Sequence, residues 1–315
     1  MNRVRAFVGR RESLQQMAIL VVLVLLWIFF SIRSPYFLTT INMANIGREI
    51  AAISIVAFGM TFVMICGEID LSAGSLFSLC GVILALLMRR GMHPGLAVLV
   101  TIGVGLFFGT LNGVIVVKGK VSSLLITLGM LSLISGLAIA VSAGETIPVM
   151  NKVFVYLTAR GSLLFVPLPV LYALLALLIA HFVLSQTKFG WDIYATGGGL
   201  LQARLAGVPT DRTRMAVMMI SGGVAAIGGI LLAGRLSAGL PNSGVGMELN
   251  AIAAVVLGGT SFSGGRGSVL LTLLGALVLA TITNGLTLLE VGYSYQLMFK
   301  GAIIIAAVLL DKVLH

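Results

Sequence analysis

Two carboxylates, Glu68 and Asp70, stand two residues apart in the stretch Gly67-Glu68-Ile69-Asp70-Leu71-Ser72-Ala73-Gly74-Ser75, between segments so apolar that both belong in a membrane. Ionisable groups at membrane depth are costly and persist where they face a bundle interior or a wet cavity, so they point to a transport path. The plainer alternative is a polar interfacial turn joining two spanning helices. A second acidic stretch, Gly246-Met247-Glu248-Leu249-Asn250, has the same character. Carboxylate and amide oxygens such as those of Glu68, Asp70, Glu248 and Asn250 would offer transient hydrogen bonds to a neutral, hydroxyl-rich solute.

These residues sit in a chain that is 59% hydrophobic and 10% charged, with a mean hydropathy of +1.13. A soluble domain carries about 25% charged residues, so the chain reads as all-α, a polytopic transmembrane helical bundle. A net charge of +10 raises nucleic acid as a partner. The basic residues are scattered through short loops and form no stripe with interleaved aromatics, which excludes that class. Lys and Arg at the cytoplasmic ends of spans account for the charge better.

Enzyme chemistry finds no foothold. Gly119-Lys120 is followed by Val121 and lacks the upstream glycine of a Walker A loop, so nucleotide hydrolysis is not expected of this chain. There is no H-E-x-x-H and no nucleophile elbow, and His93, His181 and His315 have no metal-ligand neighbours in sequence. Cys66 and Cys80 match neither a metal nor a disulfide spacing. No catalytic residue, metal or cofactor is expected.

A helix needs about 20 apolar residues to cross a bilayer. Ten candidates follow: 17–32, 50–66, 73–88, 95–117, 124–143, 168–184, 215–233, a short one at 249–257, 268–289 and 295–310. The first follows Arg3, Arg5, Arg10 and Arg11 and is trailed by no small-residue cleavage site, so it reads as an uncleaved span with a cytoplasmic N-terminus. Ten crossings return the C-terminus to the cytoplasm and place twelve of the 20 Lys and Arg residues there, the sign expected of the positive-inside rule.

The two halves show a weak internal repeat. Asn112-Gly113 precedes Gly129 as Asn284-Gly285 precedes Gly301, with the same spacing, and each pair follows an acidic stretch. Units that begin at the second and seventh spans are five crossings apart, so the repeat is expected to be inverted. Short spans in corresponding positions, here 73–88 and 249–257, then point to a site near the bilayer midplane. Glycine pairs inside spans, such as Gly222-Gly223 and Gly228-Gly229, suit close helix packing. The run Gly258-Gly259-Thr260-Ser261-Phe262-Ser263-Gly264-Gly265-Arg266-Gly267 suggests tight turns and a close backbone approach to a neighbour.

The longest cytoplasmic loop, 185–214, holds a short helical stretch at 200–205, stopped by Gly207 and Pro209. Leu201 and Leu205 are i,i+4 neighbours whose apolar face suits either a partner's groove or lipid headgroups.

These motifs together resemble the membrane-spanning permease subunit of ribose-type ABC sugar importers. The resemblance runs from about Ile41 to the C-terminus. It rests on Gly67 to Ser75, Asn112-Gly113, Ile126-Thr127-Leu128-Gly129, Phe189-Gly190-Trp191, Ala203 to Val208 and, above all, Glu248 to Gly259. It implies a single transmembrane permease domain over 1–315 and a multi-pass protein of the bacterial inner membrane. The chain would pair as a homodimer or with a related permease, and would work with a separate ABC ATPase subunit and a periplasmic or lipoprotein sugar-binding protein. On this reading the substrate path comprises Glu68, Asp70, Ser72, Asn112, Thr127, Glu248, Asn250 and Asn284. Loop 185–214 would be the cytoplasmic coupling element, with Phe189, Gly190, Leu201, Arg204, Leu205 and Gly207 engaging the ATPase. Two positions depart from the family pattern: Gly199 stands where Asn is common, and Leu124 where Phe is common.

The rival class is a stand-alone secondary transporter using Glu68, Asp70 and Glu248 as proton-relay groups. Within the ABC class, a nucleoside, an autoinducer or a branched-chain amino acid is the alternative cargo.

Overall fold

Helical hydrogen bonding is the cheapest way to satisfy a backbone in an apolar medium, and the chain follows it almost throughout. A computed structural model describes residues 2–314. Thirteen α-helices lie among them, with a π-helical turn (Tyr156–Arg160) continuing α6: α1 (Asn2–Arg33), α2 (Thr40–Ile65), α3 (Ala73–Arg89), α4 (Pro94–Gly119), α5 (Ser123–Ser142), α6 (Lys152–Val155), α7 (Leu168–Gln186), α8 (Lys188–Gly198), α9 (Leu200–Leu205), α10 (Thr210–Leu236), α11 (Met247–Leu257), α12 (Val269–Leu288) and α13 (Tyr293–Leu314). The side chains of Arg3, Arg5, Arg10 and Arg11 lie outside the described residues.

Each of the ten apolar segments expected to span falls on its own helix. Among the described residues six of these, α2, α4, α5, α7, α10 and α12, are long and apolar enough to cross a membrane; Ile19–Arg33 of α1, α3 and α11 are shorter apolar helices. Helix boundaries follow local chemistry. The Thr39 hydroxyl caps α2 at Asn42 N, and His93 Nδ1 accepts from Gly95 N just where Pro94 opens α4.

α2, α3, α10 and α11 form the centre, with α3 and the lower two-thirds of α2 buried on nearly every face. α10 runs antiparallel to α4 at very short range: the backbones of Gly105 and Gly109 lie against Gly222 and Met218, where a Cβ would overlap main-chain oxygen. This is the small-residue packing expected of the glycines. α2 packs on α11 and α12 while α10 packs on α3 and α4, an exchange of partners between the two halves.

At one end of the bundle lie the start of α10, the ends of α2 and α11, and the corner helices α8 and α9. The sequence reading treats 188–198 as loop, whereas the structure makes it α8. Thr187 caps it, its Oγ1 accepting from Gly190 N at 3.2 Å and donating to Val183 O at 2.6 Å. At the other end, β1 (Ile147–Pro148) pairs antiparallel with β4 (Ala238–Gly239). Nearby β2 (Ser162–Leu163) and β3 (Val166–Pro167) form a hairpin before α7.

Candidate functional site

Between α2 and α3 the backbone leaves the helix for residues 66–72, a break that a membrane interior tolerates only where the freed groups are satisfied by protein or water. Here α5 supplies the partners. Ile69 N donates to Ser123 Oγ at 3.1 Å, Leu71 N to Thr127 Oγ1 at 3.0 Å, and the Thr127 hydroxyl lies 3.2 Å from Ile69 O.

The carboxylates diverge in environment. Glu68 pairs with Arg214 Nε on the first turns of α10, and both side chains are largely buried. Asp70 is 1% exposed. Its Oδ1 accepts from Ser72 N at 2.9 Å and Ser72 Oγ at 2.6 Å, and its Oδ2 from Ser221 Oγ at 2.7 Å. Asn112 of α4 completes the chain, Nδ2 donating to Ser72 Oγ at 2.8 Å, while its buried Oδ1 has no partner.

Glu68, Asp70, Ser72, Asn112 and Thr127 therefore all lie at the α2–α3 break, in three adjacent groups: the Glu68–Arg214 pair, the Asp70–Ser72–Asn112 chain, and Thr127 on the break's backbone. These groups also take in Ser123, Arg214 and Ser221, which sequence reasoning missed. Arg214 and Ser221 are seven residues apart, as Ser123 and Thr127 are four apart, so helical periodicity places each pair on one face. Ser221 lies about 16 Å along α10 from its first turn.

Glu248 belongs to a neighbouring arrangement. It is 8% exposed, and its Oε1 accepts from Gly246 N at 3.2 Å in the first turn of α11. Its Oε2 occupies the space beside Gly74, in the first turn of α3, that a Cβ there would fill. Gly244 N donates to Ser78 Oγ at 2.7 Å, so the approach to α11 is laid along α3. Two discontinuous helices thus start side by side in the bundle interior. Asn250 follows on α11 and is half-buried.

Asn284 does not join these residues. It forms a reciprocal amide pair with Asn42, at 3.0 and 2.9 Å, where α2 begins. That is about 35 Å along α2 from the Glu68 loop. Leu124 is 42% exposed, on the outer surface of this chain.

The corner helices divide into buried and exposed parts. Gly190 lies on the last carbonyls of α7, where a Cβ would overlap Leu184 O, and Phe189 packs against the core. Arg204 binds Asp211 and Thr210 across the turn to α10, and Gly207, at φ +82°, makes that turn. Leu201 and Leu205 are 65% and 81% exposed, and Trp191 is 71% exposed. Gly199 has φ 170°, extended backbone that Asn can also adopt, provided the Gln202 side chain turns away from the space its Cβ would take.

Three glycine segments meet where α8 ends. Gly264 packs against Gly197 O and the Gly67 backbone, Gly265 packs on Gly198, and Gly265 N donates to Ile65 O at 2.8 Å. The glycine-rich run after α11 thereby finds its close neighbour. Backbone rests on backbone between α8 and the loops that follow α2 and α11.

Among the described residues no group of three His, Cys, Asp or Glu side chains could hold a metal ion, and Cys66 and Cys80 are buried free thiols.

A bundle of apolar helices, with a buried polar cluster at a helix break and an exposed helical corner at one end, defines a membrane transport protein. Residues 42–308 match the family described as the branched-chain amino acid transport system / permease component, and the chain belongs to it. It is similar to the ribose import permease protein of Bacillus subtilis (strain 168), 38% identical over 291 residues, or 92% of this chain and 90% of that one. The ribose import permease protein of Escherichia coli (strain K12) is 37% identical, covering 98% and 97%; the D-allose transport system permease protein of the same organism is 34% identical, covering 93% and 90%. No solved structure gives a significant match. The chain is the translocation subunit of an ABC importer, and ATP hydrolysis belongs to a separate subunit. This displaces the stand-alone secondary transporter.

Proposed function

We propose that this permease carries a monosaccharide across the bacterial inner membrane by alternating access around the polar interior where α3 and α11 begin. Relatives named for ribose import and for D-allose and L-arabinose transport support the cargo class. In this reading all ten apolar helices cross or enter the bilayer, α1 starts and α13 ends in the cytoplasm, and the halves are inverted repeats. The exchanged packing of α2 on α11 and α12, and of α10 on α3 and α4, supports the repeat. α11, with 11 residues, is about 16 Å long, half of an apolar core of about 30 Å.

The observation that carries the mechanism is the glycine junction of Gly67, Gly197 and Gly264. An ATPase held on Leu201 and Leu205 would push α8, and contact without intervening side chains would pass that motion to the loops bearing Glu68 and preceding α12. Glu68, Asp70, Ser72, Asn112 and Thr127 would then hold the α2–α3 break in place, while Glu248 and Asn250 face the cargo. Asn284 would act at the far end, securing α12 to α2. The working assembly has two permease chains, a pair of ATPase domains and a periplasmic or lipoprotein sugar-binding protein.

Reconstitution tests the proposal. Proteoliposomes holding the chain, an ABC ATPase and a sugar-loaded binding protein should accumulate labelled pentose or hexose only with ATP. ATP-driven uptake of a branched-chain amino acid or nucleoside, with none of sugar, would overturn the cargo.

A further inference from the structure

The hairpin before α7 combines strain with exposure in a way that the transport reading does not use. β2 and β3 are paired through Leu163 and Val166, leaving Leu164 and Phe165 as a two-residue turn with φ +49° and +70°. Such turns favour Asn-Gly or Asp-Gly, because bulky side chains clash with the backbone at positive φ. Other non-glycine residues of positive φ, such as Lys120, Ala143 and Ser237, are single caps at helix ends; these two are consecutive and cap nothing. They are also the most exposed apolar side chains of the segment, Leu164 at 85% and Phe165 at 94%, beside Leu163 at 59%. A water-exposed tip would gain from Asn and Gly on both counts, so the choice of Leu and Phe needs an apolar surrounding.

We infer that the Leu163–Val166 hairpin is an interfacial anchor whose tip enters the outer leaflet of the bilayer. The inference rests on the reading of α7 as a membrane span. The base of the hairpin is fixed to the start of that helix: Leu168 N donates to Gly161 O at 2.9 Å, and Tyr172 Oη to Leu157 O at 3.1 Å. α7 exposes Leu174, Leu175, Leu178, Ile179 and Phe182, so the hairpin continues a surface already suited to lipid. Residues 161–167 carry no charge, and the exposed Lys152 and Arg160 flank them. No acidic residue occurs between Glu145 and Asp192. Cations beside an apolar tip suit anionic headgroups above acyl chains.

Spin labelling of the full-length chain in nanodiscs of mixed phosphatidylethanolamine and phosphatidylglycerol tests this. Labels go at Phe165→Cys, at Arg160→Cys and, as the reference for α7, at Leu178→Cys; Cys66 and Cys80 are buried. The Phe165 label should collide more with oxygen than with a water-soluble nickel chelate, and the Arg160 label should show the reverse. A second measurement keeps the turn while removing its apolar groups: with Leu164→Asn and Phe165→Gly, a label at Leu163→Cys should shift from lipid to water. Equal exposure of the Phe165 label to water, or protection from both reagents because a protein surface covers it, would overturn the anchor while a lipid-exposed Leu178 label leaves α7 a span. A water-exposed Leu178 label would instead overturn the span itself.

Discussion

The Glu248 carboxylate occupies the volume that any side chain at position 74 would need, so the first turn of α3 and the first turn of α11 are built around one missing Cβ. Gly244 O closes the same space, 2.7 Å from where that Cβ would lie. Gly74→Ala should therefore destabilise the protein by about 1–3 kcal/mol, the usual cost of overpacking a filled interior. Thermal unfolding in detergent measures it. Adding Glu248→Ala should recover part of the loss, because it removes one of the two obstacles; full additivity of the two substitutions would mean that the helices do not meet there.

The buried partners of Asp70 separate the charge from the scaffold. Asp70→Ala strands the Ser72 and Ser221 hydroxyls and one backbone N–H, each a buried donor whose loss of a partner costs about 1–3 kcal/mol. Asp70→Asn keeps an acceptor toward Ser72, and Ser221 can turn its hydroxyl to accept from the new amide. The expected outcome is a sharp fall in thermal stability for Asp70→Ala, with Asp70→Asn stable and normally inserted but slower in ATP-driven uptake. Near-normal uptake by Asp70→Asn would make Asp70 a scaffold group alone.

The pair of Glu68 and Arg214 joins the α2–α3 break to the start of α10. Removing one member of a buried ion pair costs about 3–5 kcal/mol, because the other is left uncompensated. Arg214→Ala should approach that loss, whereas the double substitution Glu68→Gln with Arg214→Gln should lose less than the two singles combined. A double-mutant cycle on urea or thermal unfolding reads the coupling, and a value near zero would mean that water solvates both groups.

How much of this was legible in the sequence depended on the kind of signal. A carboxylate among apolar residues announces itself, so Glu68, Asp70 and Glu248 stand out; a glycine and proline stop fixed α9 to the residue. Arg214, Ser123 and Ser221 went unseen because periodicity shows which residues share a face, but not which helices that face meets. α8 was hidden by its own composition: Gly190, Gly197 and Gly198 are poor helix formers inside what the sequence reads as a loop, yet they are where the helix touches α7, Ile65 and Gly265. Asn284 was grouped with Asn112 by equivalent spacing. The structure separates them, Asn112 bonding Ser72 beside the α2–α3 break and Asn284 bonding Asn42 at the start of α2, because equal spacing in sequence does not say which helix a residue meets.

The exposed face of α9 gives a cleaner separation of binding from folding. Leu201 and Leu205 are 65% and 81% exposed, so Leu201→Asp with Leu205→Asp should leave thermal stability within about 0.5 kcal/mol. The same pair should abolish co-purification of the ABC ATPase, since a carboxylate entering an apolar groove loses its hydration. Retained association would assign that face to lipid headgroups.

Asn250 tests whether the start of α11 opens to the path. It is half-buried, two residues beyond Glu248, on a helix of about 16 Å that begins inside the bundle. In a chain with Cys66 and Cys80 replaced by Ala, Asn250→Cys should react with a small hydrophilic thiol reagent. ATP turnover by the assembled transporter should change that rate, because the proposed alternating access would expose the site to one side at a time. A cysteine at Leu201 should react rapidly throughout in the permease without its ATPase, which sets the scale for full exposure. Protection of position 250 under every condition would make the region a packed helix contact. Rapid reaction that ATP leaves unchanged would make it a surface turn, and either result removes Glu248 and Asn250 from the path.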